Sequence, residues 1–109
     1  GIGGRIGAVV GEKLWSLSDN HQVLVVTHLP QLAGFGDRHF HVSKAQDDRH
    51  TQSNVNVLDN EVARVSELAD MLGGIGESGV QSASDILHAA DDRKAKLRPK
   101  QAIEQEKLL

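Results

Sequence analysis

The residues of this chain best suited to chemistry lie in one run, Thr27-His28-Leu29-Pro30-Gln31. An imidazole is a directional hydrogen-bond donor that can also take up or release a proton near neutral pH. Thr27 and Gln31 flank it with a hydroxyl and an amide. Ahead of the run stand Val23-Leu24-Val25-Val26, apolar without alternation, which predicts a strand buried on both faces in the manner of a parallel sheet. Leu29 precedes a proline and is pushed towards extended dihedrals. Pro30 suits the first position of a helix, where its missing N–H costs nothing. The pattern is a strand that delivers His28 at its carboxyl end and turns at once into a helix, the edge of an open α/β sheet where ligands sit. The plain alternative is a capped strand end with no ligand.

Other histidines offer less. His39 and His41, two apart, share one face of an expected strand, and His50 lies beyond it. Three histidines can hold zinc, but polar residues on an exposed strand face need no such explanation, and no metal site is expected. Arg93-Lys94-Ala95-Lys96-Leu97-Arg98-Pro99-Lys100 is the basic run. It could touch a DNA backbone, or it is a solvated helix end whose cations suit the negative pole of the macrodipole. Two glycine motifs are decoys. Gly1-Ile2-Gly3-Gly4 has Ile6 where a dinucleotide fingerprint needs its third glycine, and in Gly11-Glu12-Lys13 the lysine does not directly follow its glycine.

The elements that must position these residues follow from periodicity and breakers. Gly1 to Arg5 read as a loop, and Ile6, Val9, Val10, Leu14 and Leu17 predict a helix ending at Ser18-Asp19-Asn20. Trp15 is expected to pack behind the sheet. A short helix follows Pro30 from Gln31 to Phe35, closed by Gly34 and Gly36. Phe40 and Val42 on one side of a polar run, with Val55 and Val57 on the other, predict a β-hairpin. Asp59 or Asn60 caps a helix carrying Val62, Val65, Leu68, Ala69 and Leu72 and stopped by Gly73-Gly74. Its Glu61, Glu67 and Asp70 could meet a partner. A loop with Gly76 and Gly79 leads to a last helix carrying Ala83, Ile86, Leu87 and Ala90 and ending near Leu97. The domain is read as residues 1–97, followed by a polar tail, 98–109.

At 109 residues and a formal charge of -3, the chain is one domain at most and has no global attraction to nucleic acid or anionic membrane. Without cysteine it can hold neither disulfides nor thiolate metal sites, which fits a reducing cytosol. No apolar stretch approaches the ~20 residues of a membrane span. Trp15, Phe35 and Phe40 are its aromatics, too few for a base-stacking platform. The chain opens at Gly1 without methionine, inside a glycine-rich turn, so a piece of a longer protein is expected.

Five blocks in fixed order carry a resemblance: Gly1-Ile2-Gly3-Gly4-Arg5; Val9 and Gly11-Glu12-Lys13-Leu14; Val25 with Thr27-His28-Leu29-Pro30-Gln31-Leu32-Ala33; Asp37, Phe40, Val42 and Lys44; and Arg64-Val65, Glu67-Leu68-Ala69 and Met71-Leu72-Gly73-Gly74. Across residues 1–90 the chain resembles the C-terminal part of the P-loop, ABC-type ATPase head of the bacterial RecN family, SMC-like ATPases of DNA double-strand-break repair. The resemblance implies an α/β fold with one buried parallel strand, a β-hairpin and flanking helices. It makes Gly1, Ile2, Gly3 and Gly4 the D-loop at the interface with a second head, in a homodimer. His28 becomes the switch histidine that contacts the γ-phosphate of ATP, with Thr27 and Gln31 supporting its turn. That role suits the chemistry, because phosphoryl transfer rests on positioning and charge stabilisation.

By the same resemblance, the phosphate loop, signature sequence, Mg-binding aspartate and catalytic glutamate belong to sequence preceding Gly1. The chain alone should then neither hold ATP and Mg tightly nor hydrolyse ATP. Its partners would be the remainder of its own head, a second head and, through the complete protein, DNA; its place would be the cytoplasm, at the nucleoid. Strand Val23–Val26 would also lack its neighbours, so the isolated piece should be marginal or repacked. The rival reading is a small non-catalytic α/β interaction module working through the hairpin and last helices. An aspartate-glutamate pair ending an apolar run upstream of Gly1 favours the ATPase.

Overall fold

The computed structural model describes residues 2–73 and 76–98, with side chains from Gly3 onward. Gly1, Gly74, Ile75 and the stretch 99–109, which includes nearly all of the expected polar tail, lie outside the described residues. The first helix, α1, spans Ile2–Leu17. It therefore begins four residues earlier than the apolar periodicity predicted, and Gly3 and Gly4 are helical rather than in a loop. Its expected apolar stripe is not the side that packs. Ile6, Val9, Val10 and Leu17 are exposed, whereas Gly7, Gly11 and Trp15 are buried.

The expected buried strand is absent from the described residues. Residues 22–27 form neither helix nor strand, and Leu24 and Val26 are 85% and 97% exposed. A parallel strand needs partners for its N–H and C=O groups and apolar layers on both faces. Neither is at hand here. The second helix, α2, is the single turn Pro30–Ala33, with Pro30 at its start, shorter than the expected Gln31–Phe35.

The hairpin forms as the sequence predicts. Strand β1, Phe40–Gln46, pairs antiparallel with β2, Thr51–Val57, in a register that sets Phe40 opposite Val57 and Val42 opposite Val55. These pairs stand on one face, as period two requires. That face is open to solvent: Phe40 is 41% exposed and Val55 63%. The polar face carrying His41 turns instead towards the third helix, the reverse of the expected polar-outward arrangement.

Helix α3 spans Glu61–Leu72; the Asn60 side chain accepts the Ala63 N–H at 2.8 Å, and Gly73 closes the helix with φ +69°. Val62 and Leu72 are exposed, whereas Val65, Leu68 and Ala69 of the same expected apolar face are buried or half-buried. Helix α4 runs Glu77–Leu97 and includes Gly79, expected in the preceding loop. Leu68 and Ala69 meet Ala83 and Leu87 between α3 and α4, with Ala33, Val65 and Met71 packed around them. A second cluster of Trp15, Phe35 and Ala90 joins α1, the turn after α2, and α4. Among the described residues Trp15 thus packs with helices and against no sheet.

Candidate functional site

His28 sits at the turn between residues 22–27 and α2, and it is exposed. The turn is built by its neighbours. Thr27 Oγ1 accepts the Leu29 N–H at 3.0 Å, bridging the backbone on either side of His28. Leu29 takes the extended conformation that a residue before proline prefers, φ -93° and ψ 113°. Its carbonyl then accepts the Leu32 and Ala33 N–H groups at 3.1 and 3.0 Å, so α2 grows directly out of the turn.

This turn lies against the first half of α1. A Cβ placed on Gly4 would fall 2.9 Å from Gln31 Nε2, and one on Gly7 would fall 3.6 Å from Leu29 Cβ. The fold therefore brings Gln31 to Gly4, and the His28 turn shares one end of the molecule with the leading glycines. Gly1 and the side chain of Ile2, the remaining members of that proposed interface, are outside the described residues.

Elsewhere the expected site residues are engaged or scattered. His41 Nδ1 pairs with Glu67 at 2.9 Å, while His50 sits by Asp47 in the hairpin turn. The strand length between them separates the two histidines. Among the described residues no three His, Cys, Asp or Glu side chains are grouped to hold a metal ion. His39 is half-buried at the hairpin root; burial, and then the Arg64 charge, push its pKa below the usual 6.5. His88 Nε2 meets Glu61 at 2.6 Å, and that hydrogen bond raises its pKa above the usual value. Glu61 and Glu67 thus serve contacts within the chain. A shallow groove between α3 and α4, lined by Ser66, Asp70, Glu77 and Gln81 among others, includes no residue of the His28 turn.

The basic run is largely spent on the fold. The Arg98 guanidinium lies 3.6 Å from the Trp15 ring centroid, donates to the Trp15 carbonyl at 2.7 Å and pairs with Asp19 at 3.2 Å. Lys94 and the Trp15 indole N–H both reach Asp37 Oδ1 at 3.0 Å, and Arg93 meets Glu12 at 2.9 Å. Burial alone would raise the Asp37 pKa, but Lys94 and the Trp15 N–H outweigh it and hold it below the usual carboxylate value. Sequence reasoning missed this clasp. Arg98 and Trp15 stand 83 residues apart, and no local pattern links a tryptophan to so distant an arginine.

No protein-family model matches the chain. Curated relatives do. The chain is 53% identical over 75 residues to DNA repair protein RecN of Xylella fastidiosa (strain Temecula1), a match covering 69% of this chain and 13% of that protein. It is 46% identical over 92 residues to DNA repair protein RecN of Streptomyces coelicolor and 45% identical over 92 residues to that of Vibrio cholerae. Each of these covers 83% of this chain and 16% of the relative. The matched length is thus about one seventh of the curated relatives.

Proposed function

Since the chain belongs to the RecN family and corresponds to one segment of its members, we propose that it forms the C-terminal part of an ABC-type ATPase head. The complete protein would be an ATP-hydrolysing DNA repair protein of the cytoplasm and nucleoid. Its partners are the remainder of the head, a second head in a homodimer, and DNA. Among the described residues no helix is long and apolar enough to cross a membrane.

The observation that carries the reading is the placement of His28: an exposed imidazole, held in a turn beside the N-terminal half of α1, within a segment that aligns with RecN. ATP with Mg supplies the reacting phosphoryl group and its charge neutralisation. The residues present fit one edge of that ligand. His28 can donate to a phosphate oxygen, the Thr27 hydroxyl holds the turn with Gln31 beside it, and Gly1, Ile2, Gly3 and Gly4 would supply the D-loop at the second head. Carboxylates for Mg would come from elsewhere in the head.

Exposed apolar surface supports the same reading. Leu24, Val26, the outer stripe of α1 and the hairpin face of Phe40, Val42, Val55 and Val57 are all uncovered. Apolar surface on that scale marks an interface, here with the rest of the head. In that setting Val23–Val26 would gain the strand neighbours that its composition asks for.

The test is His28→Ala in the complete protein. Turnover should fall by about 10²-fold, in the range seen when one preorganised donor to the transition state is lost, with ATP binding changed far less. Unchanged turnover would remove the phosphate contact from the proposal. The 109-residue chain by itself should show no ATPase activity.

A further inference from the structure

We propose that the glycine side of α1, with the Thr27 hydroxyl, positions the His28 imidazole, and that Gly11 is the position that can least accept a side chain. This rests on His28 being a phosphate contact. Glycine weakens a helix interior relative to alanine, yet Gly4, Gly7 and Gly11 recur at helical spacing on the face towards α2. What each glycine permits differs. A Cβ on Gly4 would meet only the mobile end of Gln31, at 2.9 Å. One on Gly7 would find ordinary contacts of 3.4 to 3.6 Å with Gln31, Leu32 and Leu29. At Gly11 it would lie 2.8 Å from Phe35 Cδ2 and 3.2 Å from the Leu32 Cα, a backbone atom that cannot step aside by changing rotamer.

From Leu32 the constraint passes back to the histidine in two bonds. The Leu32 N–H donates to the Leu29 carbonyl at 3.1 Å, and the Leu29 N–H donates to Thr27 Oγ1 at 3.0 Å. Thr27, His28, Leu29 and α2 are thereby one small body seated on α1. Lifting Leu32 by a few tenths of an ångström lifts His28 with it. A misplacement of about 1 Å can cost about 10²-fold in rate, so a smaller lift should cost about 3- to 10-fold.

The experiment uses the complete RecN protein carrying this segment, with ATP as substrate. Gly11→Ala should lower kcat about 3- to 10-fold with KM for ATP changed less than about twofold, and Gly7→Ala should do less. In a His28→Ala background, Gly11→Ala should add nothing, because the group it displaces is already gone. A loss that adds in full to that of His28→Ala is general damage and overturns the proposal, as does an unchanged kcat in Gly11→Ala. If Gly11→Ala does not fold, Thr27→Val carries the same cycle, with Thr27→Ser expected to restore kcat; additivity there overturns it equally. A crystal structure of the Gly11→Ala or Thr27→Val protein separates the two hypotheses. Should His28→Ala be silent, the phosphate contact fails, while an unmoved His28 backbone overturns the positioning whatever the kinetics.

Discussion

Replacing Arg98 by alanine tests whether the α1–α4 clasp holds this chain together. The side chain is 17% exposed, and its closest contacts are the Trp15 ring at 3.6 Å, the Trp15 carbonyl at 2.7 Å and Asp19 at 3.2 Å, with longer ones to the Ser16 carbonyl and Ser18 hydroxyl. A hydrogen bond to a charged group contributes about 1.5 kcal/mol or more, and stacking on tryptophan about 0.5–1 kcal/mol. The Asp19 pair adds little, because Asp19 is 54% exposed and water screens it. Arg98→Ala should therefore cost about 2 kcal/mol, which for a domain of this size lowers Tm by about 10 °C. Arg98→Lys keeps the charge but loses the planar stack and the fork of donors, and should recover about half. Trp15 is the single tryptophan of the chain and lies inside the clasp, so urea unfolding followed by its fluorescence reads the perturbed site itself. A midpoint for Arg98→Ala equal to that of the unaltered chain, at equal m-value, would refute the reasoning. So would an Arg98→Lys protein as stable as the original, since charge alone would then suffice.

Leu68 is fully buried between α3 and α4, so Leu68→Ala should cost about 3 kcal/mol by leaving a cavity, measured by the same urea titration. Asn60→Ala should cost about 1 kcal/mol by orphaning the Ala63 N–H, and Asn60→Asp should restore it. His88 has a raised pKa, so its pair with Glu61 contributes below pH 6.5 and is lost as pH rises through the folded value; His88→Gln should flatten that part of the stability profile. His39 is shifted the other way: the unfolded chain takes up its proton first, so stability should fall on acidification below pH 6.5, and His39→Gln should remove that slope. Asp37 has a lowered pKa, so its contribution should disappear as pH falls below 3.8, with Asp37→Asn insensitive over that range when unfolding is followed by Trp15 fluorescence.

Local signals were read well where local physics decides. The cap at Asp59 or Asn60, the Gly73 stop, the hairpin joining the Phe40–Val42 and Val55–Val57 stretches and the end of α4 near Leu97 each depend on residues a few positions apart or on a short hairpin. The backbone of the His28 turn was equally legible, because Pro30 restricts Leu29 and the Thr27 hydroxyl is within reach of the Leu29 N–H. Faces were misread. Ile6, Val9 and Val10 satisfy the periodicity of a buried stripe, yet α1 packs through Gly7, Gly11 and Trp15. Apolar periodicity reports which side a helix would bury given a partner, and it cannot say whether the partner is present.

The sequence by itself determined the hairpin, the capped helix α3, the end of α4 and the proline-led turn at His28, because these follow from backbone preferences and short-range hydrogen bonds. Tertiary structure alone decided which glycines admit α2, that Arg98 closes on Trp15, and that Val23–Val26 joins no ladder among the described residues. Those outcomes depend on what lies across the fold. A strand takes its place only when neighbours complete its hydrogen bonds, and a cation finds a ring only when two distant helix ends meet.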